Sequence, residues 1–221
     1  MRTWLVACAL LGLCATARAD STGLRLSPAE EHARLHVYAG LFGSGYLVAA
    51  QSTDYRRGYL DHGGGGGLFA GVRLDRLLAV EIDWRTTLNG ENFAAARVTN
   101  LPLDGLVVTT VSLGARVYVP TGSMLEPYGL ASAGYAVIMT DFVECPDCDS
   151  VFATGPAAAL GGGLDVHLGR RLSAGLRMSG QVMHFGSDSF EKRFRVVGVE
   201  PSQTQATILS LATDAYATFH F

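Results

Sequence analysis

The chain of 221 residues is poor in the features that usually point to a chemistry. Of its four cysteines, Cys8 and Cys14 fall within the first 19 residues, leaving Cys145 and Cys148 as a single Cys-Pro-Asp-Cys pair. Two thiols are half of a zinc ligand set, and no strand–helix–strand pattern surrounds them, so thioredoxin-type chemistry is not indicated. A net charge of −3 with no basic stripe argues against a nucleic-acid partner. After residue 19 no stretch offers about 20 consecutive apolar residues, which excludes a helical membrane span. No Pro- or Ser-rich linker and no fixed-period repeat divide the chain, so the remaining length of about 200 residues fits one domain. No metal site and no cofactor are expected.

What the chain does have is an apolar average: 48% hydrophobic residues and a positive mean hydropathy. Its start reads as an export signal. Arg2 precedes an apolar run from Trp4 to Leu13, and Ala17-Arg18-Ala19 gives the small-residue cleavage pattern, so residues 1–19 are expected to be a signal peptide. Cys8 and Cys14 both make poor lipidation sites, one for lack of an apolar stretch before it and the other for a bulky preceding residue. Residues 20–33 are polar and are expected to lie in the periplasm.

From residue 34 onward the sequence alternates with the period of a strand. The last segment is the clearest. Leu209, Leu211, Thr213, Ala215, Ala217, Phe219 and Phe221 alternate with Ser210, Ala212, Asp214, Tyr216, Thr218 and His220. About 10–13 such residues can cross a bilayer as a tilted strand. Similar segments begin at about Arg34, Leu68, Leu78, Val107, Ala158 and Leu172. An eighth, near 126–140, follows from count and spacing alone, and its facing cannot be read. Short turns are expected at 75–77, 120–125 and 169–171, and long connections at 44–66, 86–105, 141–155 and 186–206. Short turns at one end and long loops at the other, with an even strand number, describe a transmembrane barrel with both termini in the periplasm.

The charges then fall on one face. Arg73, Arg85, Arg116 and Arg177 and the acids Glu81, Asp83, Asp165 and Asp214 all sit at the positions assigned inward. An arginine facing lipid near the midplane would cost about 2–4 kcal/mol. Eight strands leave an interior that side chains can just fill, so four bases and four acids are expected to pair into a polar plug.

The chain resembles the small eight-stranded outer-membrane barrels, a family that includes the transmembrane domain of OmpA, OmpX and OmpW. The resemblance covers residues 34–221. It rests on the closing Phe219 and Phe221, the hairpin of Gly71 to Asp75 and Val80 to Trp84, and the strand start Pro127-Tyr128-Gly129. It implies an all-β, eight-stranded antiparallel up-and-down barrel in the outer membrane of a Gram-negative bacterium, with no peptidoglycan-binding domain after the last strand. Phe219 and Phe221 would serve as the signal read by the outer-membrane assembly machinery. Outer-membrane lipid and lipopolysaccharide would be its surroundings, and a monomer is expected.

Three further features invite chemistry. Cys145 and Cys148 lie in an exported loop and are expected to form a local disulfide, with metal or redox work and free thiols as alternatives. The run Gly63 to Gly67 lacks the Lys-Ser or Lys-Thr of a phosphate loop and is read as a mobile loop entering the second strand. His184, Ser187 and Glu191 could form a base, nucleophile and orienter as in a lipid A deacylase of the PagL type. However, their spacing departs from that family's, and His184 falls on the outward parity. No catalytic residue is therefore expected. The expected role is structural or interactive, with a narrow channel or conduit for small solutes or apolar molecules as the alternative and the hydrolase as a third.

Overall fold

The computed structural model describes residues 36–53, 60–91, 103–142, 151–185 and 206–221. The expected signal peptide, the segment 20–33, Cys145, Cys148, Ser187 and Glu191 lie outside these residues.

Eight strands close into one antiparallel barrel in sequence order, the last pairing with the first. They are β1 (His36–Thr53), β2 (Leu60–Arg73), β3 (Leu78–Glu91), β4 (Leu103–Tyr118), β5 (Leu125–Phe142), β6 (Val151–His167), β7 (Leu172–Phe185) and β8 (Ala206–His220). The eight-stranded barrel expected from the alternation is therefore the observed fold. Each chain reversal at one end is tight. At 74–77 the Asp75 carboxylate accepts from the backbone N–H groups of Leu77 and Leu78, at 2.7 and 2.8 Å. At 119–124 Gly122 adopts φ 67°, a left-handed conformation that favours glycine. Asp75 is exposed and caps this turn.

The strands run further past the other end than the alternation suggested. Parts of all four expected long connections, 44–66, 86–105, 141–155 and 186–206, belong to strands. The glycine run is the main correction. Gly63 to Gly67 is not a loop but part of β2, paired with β1 on one side and β3 on the other. Glycines are weak strand formers, so composition alone reads them as a break. Cross-strand partners explain the last of them, Gly67, which faces Phe42, and likewise Gly71 further along β2, which faces Tyr38. A Cβ at Gly67 would collide with the Trp84 carbonyl oxygen and the Phe42 ring, and one at Gly71 with the Tyr38 ring. The same pairing recurs inside the barrel, where Phe69 lies over Gly40, Tyr128 over Gly163 and Tyr216 over Gly175. Each glycine clears the wall so that a neighbouring ring can lie across it.

The outer face is apolar along its length. On β7, Leu172, Leu176, Met178 and Val182 are all exposed. Leu172 to Val182 spans about 34 Å at 3.4 Å per residue. With the tilt of about 40° usual for such barrels this makes a belt of about 26 Å, close to the apolar band of an outer-membrane barrel. Trp84 and Tyr135 lie on this outer face, and Phe219 and Phe221 stack edge-on 5.1 Å apart at the turn end. The inner face is buried over much of its area and half-buried along parts of β4, β5 and β6, and every charge expected inside the barrel is buried there.

Candidate functional site

The lumen is layered along the barrel axis. In the middle layer Arg177 from β7 reaches three acids: Asp214 at 2.6 Å, Asp83 at 2.9 Å and Glu81 at 3.4 Å. Arg85 from β3 binds Asp214 at 2.7 Å and donates to Ser44 at 3.1 Å. Arg116 from β4 holds Glu81 at 2.6 Å and lies 3.8 Å from Asp165. The sequence placed these seven residues on one face, and the structure brings them into one ion-pair network crossing the barrel.

Aromatic rings enclose the cations. The Arg116 guanidinium lies 4.7 Å from the Tyr128 ring, 5.1 Å from Phe69, 5.5 Å from Tyr216 and 5.8 Å from Tyr38. Arg85 and Arg177 each lie 5.0 Å from the Phe42 ring. Cations over ring faces within about 6 Å are attracted by the ring quadrupole, more so when desolvated. The tyrosine hydroxyls also satisfy the acids. Tyr38 donates to Glu81 at 3.3 Å, and Tyr216 donates to Asp165.

The turn-end layer holds an acid that the sequence reading missed. Arg73 pairs with Glu126 through two hydrogen bonds of 2.7 Å, and His167 meets the same carboxylate at 3.0 Å. Glu126 stands on β5, the strand whose facing could not be read. Its inward positions include Leu130 and Ala136, and its outward positions include Gly129, Ala131 and Ala133, so hydropathy barely distinguishes the faces. Among the described residues the four-to-four charge balance therefore becomes five acids against four arginines, with three histidines alongside. Arg73 could have pointed to an unfound partner, since its expected hairpin neighbours left it none.

At the other end the lumen turns apolar. Tyr46, Val108, Ala136, Met183, Phe185, Ile208 and Ala212 form one buried cluster. Met183, Phe185 and Ile208 continue the inward parity of β7 and β8 beyond the segments read from the sequence. Between the apolar cluster and the ion pairs lies a cavity of about 30 Å³, lined in part by Glu81, Asp83, Arg85, Arg177, Ser179 and Gln181. That is room for about two water molecules.

Of the expected hydrolytic set only His184 is among the described residues. His184 faces outward, exposed, and its Nδ1 lies 2.9 Å from Thr207 Oγ1 on β8. Ser187 and Glu191 lie outside the described residues, as do Cys145 and Cys148.

The profile of the outer membrane protein beta-barrel domain matches residues 5–201. The chain belongs to this family. It is thus an outer-membrane protein that crosses the bilayer with its strands, as the resemblance had implied. The solved structure of Neisserial surface protein A, NspA, is similar at a TM-score of 0.55 and 14% identity, covering 85% of this chain and 97% of that one. Two barrels from Pseudomonas aeruginosa also match. OprG does so at a TM-score of 0.49 and 14% identity, over 86% of this chain and 96% of its own. The N-terminal barrel of OprF does so at 0.46 and 13%, over 85% and 98%. At such identities the likeness to NspA speaks for the fold of the family and not for a shared activity. No curated protein sequence matches the chain significantly.

Proposed function

We propose that this family member is a non-conducting barrel with a structural and interactive role: it reinforces the outer membrane and presents its long connections at the cell surface. The observation that carries this reading is the filled interior. Ion pairs and rings occupy the middle, an apolar cluster occupies one end, and the described cavity holds about two waters. Ions crossing such a lumen would have to displace buried pairs, and breaking one costs about 3–5 kcal/mol. In this reading the tight turns and both termini are periplasmic, as the length sorting of the connections suggests. The lumen residues Arg73, Glu81, Asp83, Arg85, Arg116, Glu126, Asp165, Arg177 and Asp214 form the plug. Phe219 and Phe221 engage the assembly machinery, and the apolar belt contacts lipid and lipopolysaccharide as a monomer.

The test is purified full-length protein reconstituted in planar bilayers. No discrete conductance steps are expected at neutral pH and moderate voltage. Reproducible single-channel steps that change in size when Arg177 is replaced would overturn the proposal in favour of a narrow pore through this lumen.

A further inference from the structure

The cavity beside the ion pairs exists because three neighbouring strands bring little bulk to the lumen. Register sets Asp83 of β3 in one row with Ser112 of β4, Gly134 of β5 and Ala157 of β6. The next row sets Glu81 with Gly114, Ser132, Ala159 and, on β7, Gln181. An eight-stranded interior is just filled by side chains of ordinary size, so two rows of glycine, alanine and serine leave space in it. That space is the cavity of about 30 Å³.

Its lining is polar, and much of that polarity has no protein partner. Ser179 and Gln181 both line the cavity and are more than nine-tenths buried, at 3% and 8% exposure. Neither side chain makes a hydrogen bond among the described residues, and the same holds for Thr110 and Ser112 on β4 and Ser132 on β5. Asp83 completes the lining. Arg177 donates to its Oδ2 at 2.9 Å, whereas its Oδ1 receives no hydrogen bond among the described residues. Neighbouring acids are better served: Glu81 meets Arg116, Arg177 and Tyr38, and Asp214 meets Arg85 and Arg177.

A buried donor or acceptor without a partner gives up its hydration for nothing in return. Polar cavities with room for a water and two or more partners therefore hold one, while apolar cavities stay dry. Charge decides the class of occupant. Glu81 and Asp83 balance Arg85 and Arg177 around the cavity, so its lining calls for neither a cation nor an anion. A neutral molecule that both donates and accepts suits the hydroxyls, the amide and the carboxylate. The volume admits about two waters.

We propose that the cavity is a hydration site in which about two waters bridge the Asp83 carboxylate to the hydroxyl and amide wall of β4, β5 and β7. The waters are the second partner of Asp83 besides Arg177, and they satisfy side chains that the fold leaves without one. The site is internal, so the proposal stands whether or not the barrel conducts.

The test is a crystal structure of the full-length barrel, with Ala159→Val as the variant that fills the site. Ala159 stands between Ser132 and Gln181 in register, and two added methyl groups there take the place of the waters. At a resolution that orders water elsewhere in the lumen, the native barrel is expected to show water within hydrogen-bond distance of Asp83 and of Ser179 or Gln181. The variant is expected to lose it. Urea unfolding in micelles reads the same substitution in two backgrounds. Its effect on the folding equilibrium constant is expected to be about tenfold smaller with Asp83→Asn than with Asp83, a coupling usual for groups in one network. An equal effect in both backgrounds, or a native cavity without ordered water, would overturn the assignment. So would an anomalous peak in the cavity of native crystals soaked in rubidium chloride, which would make it a cation site. The native crystal decides even where the variant does not fold.

Discussion

Replacing Arg177 with methionine measures what the buried network contributes. The guanidinium serves Asp214, Asp83 and Glu81, and the methionine keeps much of the stem's bulk but no donor. Asp214 would still have Arg85 at 2.7 Å, and Glu81 would still have Arg116 at 2.6 Å. Asp83 is the acid left without an arginine. Removing one partner of a buried pair costs about 3–5 kcal/mol, because the remaining charge stays desolvated. Asp83 is the least enclosed of the three, with 11% side-chain exposure, and it lines the small cavity. Water can partly hydrate it, which places the expected loss near the lower end, about 3 kcal/mol. The double variant R177M/D83N removes the stranded charge and should recover about 1–2 kcal/mol of that loss, a coupling typical of residues in one network. Urea unfolding in detergent micelles, followed through the fluorescence of the outward-facing Trp84, reads both numbers. A loss for R177M below about 1 kcal/mol, the size of an exposed pair, would refute the buried-network argument. So would a double variant no more stable than the single one.

Leu113 is 63% exposed on the outer wall, while its neighbour Ser112 faces the lumen. Leu113→Arg should therefore lower folding stability in phosphatidylcholine vesicles by about 2–4 kcal/mol, measured by the gel-mobility shift between folded and unfolded barrel. At the 74–77 turn, the N–H groups of Leu77 and Leu78 hold the Asp75 carboxyl below its usual range. A lowered carboxylate contributes stability above about pH 4 and loses it as pH falls through its folded value, so the turn should loosen only in strong acid. Asp75→Asn should flatten that acid limb in amide exchange of residues 74–78, and an unchanged limb would show that the cap is idle.

Much of the architecture was legible because a barrel wall must separate lipid from lumen residue by residue. The facing of β8 read correctly from Leu209 to His220, since Asp214, Tyr216 and Thr218 alternate with Ala215, Ala217 and Phe219 and leave no second register. The inward arginines were legible for the same reason: lipid does not tolerate them. Where the two faces differ little, the reading failed. β5 carries small residues outside and apolar ones such as Leu130 inside, so Glu126 went unplaced. The run Gly63 to Gly67 read as a loop because glycine carries no side chain to alternate, and the close approach that Gly67 allows to the Phe42 ring of β1 leaves no local pattern.

The sequence by itself determined that this chain is a strand-built membrane wall with its charges turned inward, because period and hydropathy are local properties that the bilayer enforces. The tertiary structure decided the partners. Arg85 meets Asp214 across 129 positions, and Arg177 meets Asp83 across 94. Likewise, His36 meets His220 across 184. Only closure of the barrel brings such residues together, since strand tilt and register set which inward side chains share a height in the lumen. Whether the interior is open or filled follows from that stagger, and the alternation that built the wall carries no information about it.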